Sequence, residues 1–309
     1  MTLPAPPITF APMQTWLPPL ALSACVRVVI ARSMAGMHLA DAQRWGHFPV
    51  SPMVALGCLS EGSADLLAAG ASAHAHAPRE RLPSMQLSGP QTMPRTVFYS
   101  PNASGVMVAF YPDAWLALTG MSPEGLTDRF VDAHAVLPPD VLELCERLCE
   151  AVEGGDDDAA RINRFFADLL PVWQQRARDS KHRVWPSKDG ARTMALWMEA
   201  LALRAVATGW GRSLRQSERR IKHWTGWSLR KLQGSARGEA VFLAVLDAIH
   251  DNRLDWTQIA LEHGFSDQSH FIRETRRITG FSPEALRHGL FHEEAFWSYR
   301  ALAQISRGP

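Results

Sequence analysis

The chain has 309 residues, 46% of them hydrophobic, with 32 Lys+Arg against 31 Asp+Glu. That length and apolar content exclude an intrinsically disordered chain and allow two domains with real cores. A net charge of +1 by itself says nothing about nucleic acid, and no stretch reaches the ~20 uninterrupted apolar residues of a membrane-spanning helix. The charge is unevenly spread. Residues 1–190 hold 15 Lys+Arg and 19 Asp+Glu, net −4, and residues 191–309 hold 17 and 12, net +5. An acidic front and a basic back fit a sensing half joined to a nucleic-acid-binding half.

Residues 1–18 are Pro-rich and read as extended. The apolar run at 16–31 contains two prolines and Arg27, with no Lys or Arg before it. That argues against a signal peptide, so a soluble cytoplasmic protein is expected. Strand signals follow at Cys25–Ile30, Val50–Leu59, Arg95–Tyr99 and Val106–Phe110. The last two, separated by Ser100–Gly105, read as a hairpin or two neighbouring strands. From Pro112 the pattern turns helical: 113–119, stopped by Gly120; a helix after Pro138 through Val141, Leu144, Cys145 and Leu148; and one over 161–178. Residues 154–158 read as a solvated break, and 179–190 as a connection. Cys25, Cys58, Cys145 and Cys149 form no zinc pattern. Buried thiols in a reducing cytosol are expected, Cys145 and Cys149 as small hydrophobes four apart on a helix.

Residues 193–226 predict a helix through Leu201, Leu203, Ala205 and Val206, a stop at Gly209-Trp210-Gly211, and a second helix capped by Ser213. This second helix turns Leu214, Ser217, Ile221 and Trp224 inward. Arg215, Glu218, Arg219 and Lys222 share its opposite face. Leu229–His250 reads as one helix, weakened by Gly234 and Gly238 at roughly 1 kcal/mol each relative to Ala. Residues 255–288 repeat the arrangement. Trp256, Ile259, Ala260 and Leu261 form a short helix, Gly264 breaks it, and Phe265 anchors the turn. Ser266 or Asp267 caps a second helix that points Phe271, Thr275 and Ile278 inward. Gln268, Ser269, Arg273, Arg276 and Arg277 point outward. A glycine-bearing turn between two short helices, the second polar and basic, is the make-up of a helix-turn-helix, whose second helix enters the major groove.

The run IALEHGFSDQSHFIRETRRITGFSP resembles the second helix-turn-helix of AraC/XylS-type transcription regulators, and 193–226, closing on Trp-Thr-Gly then Ser-Leu-Arg, resembles the first. Thr275 departs from the family's usual Phe, and Ser217 from an apolar residue. Residues 89–137 are similar to the cupin-like sensing region of some such regulators. The resemblance implies an α+β chain. A mainly β, cupin-like sensing domain (1–111) and a helical extension with linker (112–189) come first. An all-α DNA-binding domain with two helix-turn-helix motifs (190–290) and a C-terminal tail (291–309) follow. It implies double-stranded DNA and RNA polymerase as partners, with an effector or dimerisation acting through the N-terminal domain. Arg215, Glu218, Arg219, Gln268, Ser269 and Arg273 are placed to meet base edges. Arg and Gln can bond purine edges bidentately, and Glu218 can accept from a cytosine amino group. Lys222, His223, Arg276 and Arg277 are placed to meet phosphates. A helix of ~20 residues spans about 30 Å, close to the ~34 Å between successive major grooves on one DNA face.

A metal-dependent cupin enzyme is the alternative, resting on His74 and His76 with His38 and His47, but no glutamate accompanies the pair at strand spacing. None of the four cysteines sits in the Pro-Cys-His setting of a repair methyltransferase. No P-loop, dinucleotide or Gly-x-Ser-x-Gly pattern occurs. The expectation is a non-enzymatic regulator without cofactor or metal. In a third reading the N-terminal half is only an interaction or dimerisation module.

Overall fold

The computed structural model describes residues 10–68, 71, 73, 77–150, 158–179, 193–207, 213–250 and 255–307. The strands are β1 (Met13–Trp16), β2 (Val26–Ser33), β3 (Trp45–Phe48), β4 (Val54–Glu61), β5 (Ala64–Leu67), β6 (Arg79–Arg81), β7 (Met85–Ser88), β8 (Arg95–Tyr99), β9 (Ser104–Phe110) and, after the first helix, β10 (Phe130–Asp132). The helices are α1 (Pro112–Thr119), α2 (Ala133–Val136), α3 (Pro139–Cys149), α4 (Asp158–Asp179), α5 (Met194–Ala207), α6 (Leu214–Thr225), α7 (Leu229–His250), α8 (Trp256–Glu262), α9 (Gln268–Thr279), α10 (Pro283–His292) and α11 (Trp297–Arg307). The N-terminal half is thus mainly β and the C-terminal half helical, as the sequence predicts.

Two antiparallel sheets form the β region, one ordered β1-β2-β9-β4-β7-β10 and the other β3-β8-β5-β6. Arg95–Tyr99 and Val106–Phe110, expected as a hairpin or two neighbouring strands, fall in different sheets and do not pair. β8 pairs with β3 and β5, while β9 pairs with β2 and β4. The connection changes sheets at Asn102, whose φ of 62° a short polar side chain tolerates. β9 then runs so close to β4 that a Cβ on Gly105 would stand 2.1 Å from the Cys58 carbonyl oxygen. The helical segment after Pro112 also returns to the sheet, since β10 pairs with β7.

Helix boundaries follow the punctuation. Pro112 opens α1, and Gly120 closes it at φ 74°. α3 buries Val141, Leu144, Cys145 and Leu148, and α4 buries Ile162, Phe165, Phe166, Leu169 and Trp173. The expected break at 154–158 lies almost wholly outside the described residues, as do the Gly209-Trp210-Gly211 stop and 180–190 of the connection. One hydrophobic core runs through both halves. It joins Val29, Val54 and Val108 of the sheet, Trp115 of α1 and Phe166 of α4 to Trp197, Trp224, Trp227 and Trp297.

Three expectations are corrected. Cys58 and Cys149 are disulfide-bonded, with Cα atoms 5.6 Å apart, instead of being separate buried thiols. Cys25 and Cys145 are free and buried. In α6, Leu214 is 83% exposed: it opens the helix, and the buried side chains of α6 begin only at Ile221. Leu203, Val206 and Leu261 are likewise exposed. Among the described residues no helix is long and apolar enough to cross a membrane.

Candidate nucleic-acid interface

Each helix-turn-helix is built by local chemistry. Asp255 caps α8 by accepting from the N–H groups of Thr257 and Gln258 at 2.8 and 3.1 Å. Gly264, at φ 73°, makes the turn without steric cost. Phe265 is buried against Phe271, ring centroids 5.5 Å apart. Of the two expected caps, Asp267 serves, accepting from His270 N–H at 2.7 Å. That bond, with a second from Ser266, holds its carboxyl below the usual carboxylate range. In the upstream unit Ser213 caps α6 by accepting from Gln216 N–H at 3.3 Å. Arg220, passed over in the sequence reading, reaches back to the Ala205 carbonyl at the end of α5, 2.8 Å away.

α6 and α9 end in one repeated joint. In α6 the Thr225 hydroxyl donates to the Ile221 carbonyl (2.8 Å) and accepts from Trp227 N–H (3.2 Å). In α9 the Thr279 hydroxyl donates to the Thr275 carbonyl (2.7 Å) and accepts from Phe281 N–H (3.0 Å). Gly226 and Gly280 follow at φ 74° and 84°. Ser228 and Ser282 then accept from the N–H three residues on, at 3.3 and 3.2 Å. The sequence signal was TGWS at 225–228 against TGFS at 279–282.

α7 joins the units with 22 residues, about 33 Å at the usual rise. The two glycines that weaken it have different surroundings. A Cβ on Gly238 would meet Ile278 Cδ1 at 2.4 Å, so this glycine lets α9 seat directly on the linker; one on Gly234 would find Arg277 Nη2 only at 3.7 Å. Thr275, in the position where the resemblance expects Phe, is half-buried and turns its hydroxyl onto the Phe271 carbonyl at 2.9 Å.

All ten expected contact residues are on the surface. Arg215, Glu218 and Arg219 are exposed on α6, and Gln268, Ser269 and Arg273 on α9. Lys222, His223, Arg276 and Arg277 are exposed as well. Two of the expected phosphate ligands are engaged elsewhere. Lys222 pairs with Glu124 of the N-terminal half at 3.1 Å. Arg277 forms a two-point pair with Glu274, 2.8 and 2.7 Å, which lowers the Glu274 pKa and raises that of Arg277. The C-terminal end of α6 is therefore held by the N-terminal half. A Cβ on Gly226 would stand 2.9 Å from the Glu124 backbone nitrogen. Beneath α6, Arg204 pairs with buried Asp113 of α1 and lies 4.9 Å from the Trp224 ring centroid, and Trp197 Nε1 donates to the same carboxylate at 2.9 Å.

The tail also reaches the interface. Its helix α11 lies chiefly on strands: Trp297 meets Phe48 of β3 edge-on at 5.3 Å, and the Ser298 hydroxyl donates to the His47 carbonyl. Tyr299 hydroxyl donates to the Thr279 carbonyl at the end of α9, 3.1 Å away. His47 is wedged between Phe281 and Phe296 at 4.8 and 5.2 Å. His74 and His76 lie outside the described residues, and among those described no group of three or more His, Cys, Asp or Glu is drawn together as a metal site.

Residues 248–288 match the model for bacterial regulatory helix-turn-helix proteins of the AraC family. No curated protein matches the chain. Among solved structures it is similar to ToxT from Vibrio cholerae. One such structure shares 10% identity over 90% of this chain and 97% of that chain, with a TM-score of 0.35. A second shares 12% over 88% and 96%, with a TM-score of 0.34. A third, of ToxT bound to an unsaturated fatty acid, shares 10% over 80% and 92%, also at 0.34. Likenesses at these scores are too distant to bear on function.

Proposed function

Starting from the AraC-family helix-turn-helix at residues 248–288, we propose that this chain is a sequence-specific, DNA-binding transcription regulator that reads two successive major grooves. The observation that carries the reading is the repeat itself: two capped helices with exposed polar faces, closed by the same Thr-Gly-aromatic-Ser joint and held apart by a 22-residue helix. Arg215, Glu218 and Arg219 of α6 and Gln268, Ser269 and Arg273 of α9 meet base edges. Lys222, His223, Arg276 and Arg277 meet phosphates, once Lys222 has left Glu124. The protein works in the cytoplasm, without catalytic activity, with RNA polymerase as its downstream partner. A cavity of about 230 Å³ in the β region supports control by a small effector. It is smaller than a drug-sized pocket of roughly 300–1,000 Å³.

Genome-wide capture of bound DNA by the intact protein tests this, run beside Arg219→Ala plus Arg273→Ala. Discrete sites that vanish in the double variant are the expected result. Binding to arbitrary duplex that the variant retains would overturn base reading by these helices. Removing the phosphate contact of Arg276 should weaken all sequences alike and reduce the salt slope by about 1.

A further inference from the structure

The cavity in the β region is closed by residues from the far end of the chain. Its walls are mostly apolar side chains such as Val28, Ile30, Met53 and Val106, but Trp297, Ser298, Leu302 and Ile305 of α11 complete it. Into this apolar space the sequence puts Arg32, which follows Val28 and Ile30 at strand spacing and so shares their face.

Arg32 is only half satisfied. Its Nη2 donates to Glu294 Oε1 at 2.8 Å, and the side chains are 8% and 1% exposed. Its guanidinium lies 5.1 Å from the Trp297 ring centroid and 5.6 Å from that of Tyr99. Its Nε is buried with no hydrogen-bond partner, and so is Trp297 Nε1. Arg27 Nε is a third such donor in the lining, and Gln86 Oε1 is the one buried acceptor there without a partner among the described residues, so donors outnumber acceptors and the site is short of acceptors. Glu294 has other partners: Ala11 N–H at 3.1 Å and Arg300 at 3.4 Å. It can lose Arg32 without being stranded.

We infer that the cavity binds a small, mainly apolar molecule carrying one carboxylate, which takes Arg32 from Glu294 and so loosens the tail on the end of recognition helix α9. This deepens the effector reading above and rests on it. One guanidinium serves two anions poorly, because the second carboxylate repels the first at close range in an apolar setting. Glu294 stands five residues before Tyr299, whose hydroxyl holds the Thr279 carbonyl, and two before Phe296, which packs on Phe281 at 4.7 Å. The path from cavity to DNA-reading helix is therefore one ion pair and one turn of tail. By linkage, whatever loosens the tail on ligand binding also tightens ligand binding when the tail is already loose.

The test uses the full chain and two probe pairs sized to the cavity, cyclohexylacetate and octanoate with their neutral amides. Calorimetry should show at least one carboxylate binding tenfold or more tightly than its amide. Arg32→Gln should bring that ratio near one, and Glu294→Gln should tighten the carboxylate severalfold while leaving the amide unchanged. Hydrogen exchange across 294–305 should rise on adding carboxylate to the natural protein and be already high in Glu294→Gln. Equal binding of acid and amide, no binding of either acid at millimolar concentration, or unchanged tail exchange would each overturn the inference. If Arg32→Gln fails to fold, Glu294→Gln decides alone. DNA capture is read separately: sites retained without carboxylate binding sink only this inference, whereas absent sites sink the regulator reading.

Discussion

Asp113 gives the sharpest test of how the two halves are joined. Its carboxylate is 4% exposed and accepts from Trp197 Nε1 at 2.9 Å and from Arg204, itself 6% exposed. Asp113→Ala leaves the Arg204 charge buried without its counter-ion, a loss of about 3–5 kcal/mol. Replacing both partners, Asp113→Leu with Arg204→Met, removes the uncompensated charge and should recover most of that loss. At about 2–4 °C per kcal/mol for a chain of 150–250 residues, the single variant should melt on the order of 10 °C lower. A thermal melt of the single and double variants at pH 7 reads this directly. If Asp113→Ala moves the midpoint by less than about 2 °C, the pair does not hold α5 to α1, and the account of the joint is wrong.

Acid should weaken the tail's docking site. Burial pushes the His47 pKa down to about 4 from an ordinary 6.5. The unfolded chain therefore takes up this proton first as pH falls. Stability is full above about 6.5 and declines by about 3 kcal/mol by pH 4; melts of His47→Phe should lack this part of the decline. Glu124→Gln frees Lys222 and should raise DNA affinity, by about fivefold at most, because the pair is half exposed; filter binding at two salt concentrations measures it, and an affinity that falls would refute it. A Cβ on Gly289 would lie 2.3 Å from the Phe296 ring, so Gly289→Ala should cost about 1–3 kcal/mol, read by denaturant titration. Reducing the Cys58–Cys149 bridge, which spans a sequence separation of 91, should cost about 4–5 kcal/mol if chain entropy dominates; an intact mass unchanged by reductant would show that no bridge forms.

What the sequence disclosed, and what it withheld, divides by range. The helices were legible because their signals are local: Ser213 and Asp267 as caps, Gly120 and Gly264 as stops. Gly238 shows the limit. As a propensity it reads as a weak point of α7, and only the position of Ile278 reveals it as the seat of α9. β8 and β9 looked like a hairpin or two neighbouring strands because they are adjacent in sequence, yet whether strands pair depends on partners about 30 or more residues away. The ion pairs that tie the halves together join residues separated by 91, 212 and 262 positions. No window of sequence contains both ends. The C-terminal tail was visible as a segment beyond the second helix-turn-helix, but its docking site was not, since β1 and β3 lie at the opposite end of the chain.

The Thr-Gly-aromatic-Ser joint is the same at both recognition helices, while the faces it follows are different: Arg, Glu and Arg on one, Gln, Ser and Arg on the other. A two-fold dimer reads a palindrome and is indifferent to which way round it lies. On the proposed function, this chain carries two unlike heads in a fixed order along one polypeptide, so its target has a left end and a right end. Turning such a site around beside a gene would present a different surface to whatever stands next to it, and the direction of transcription would be written into the site itself.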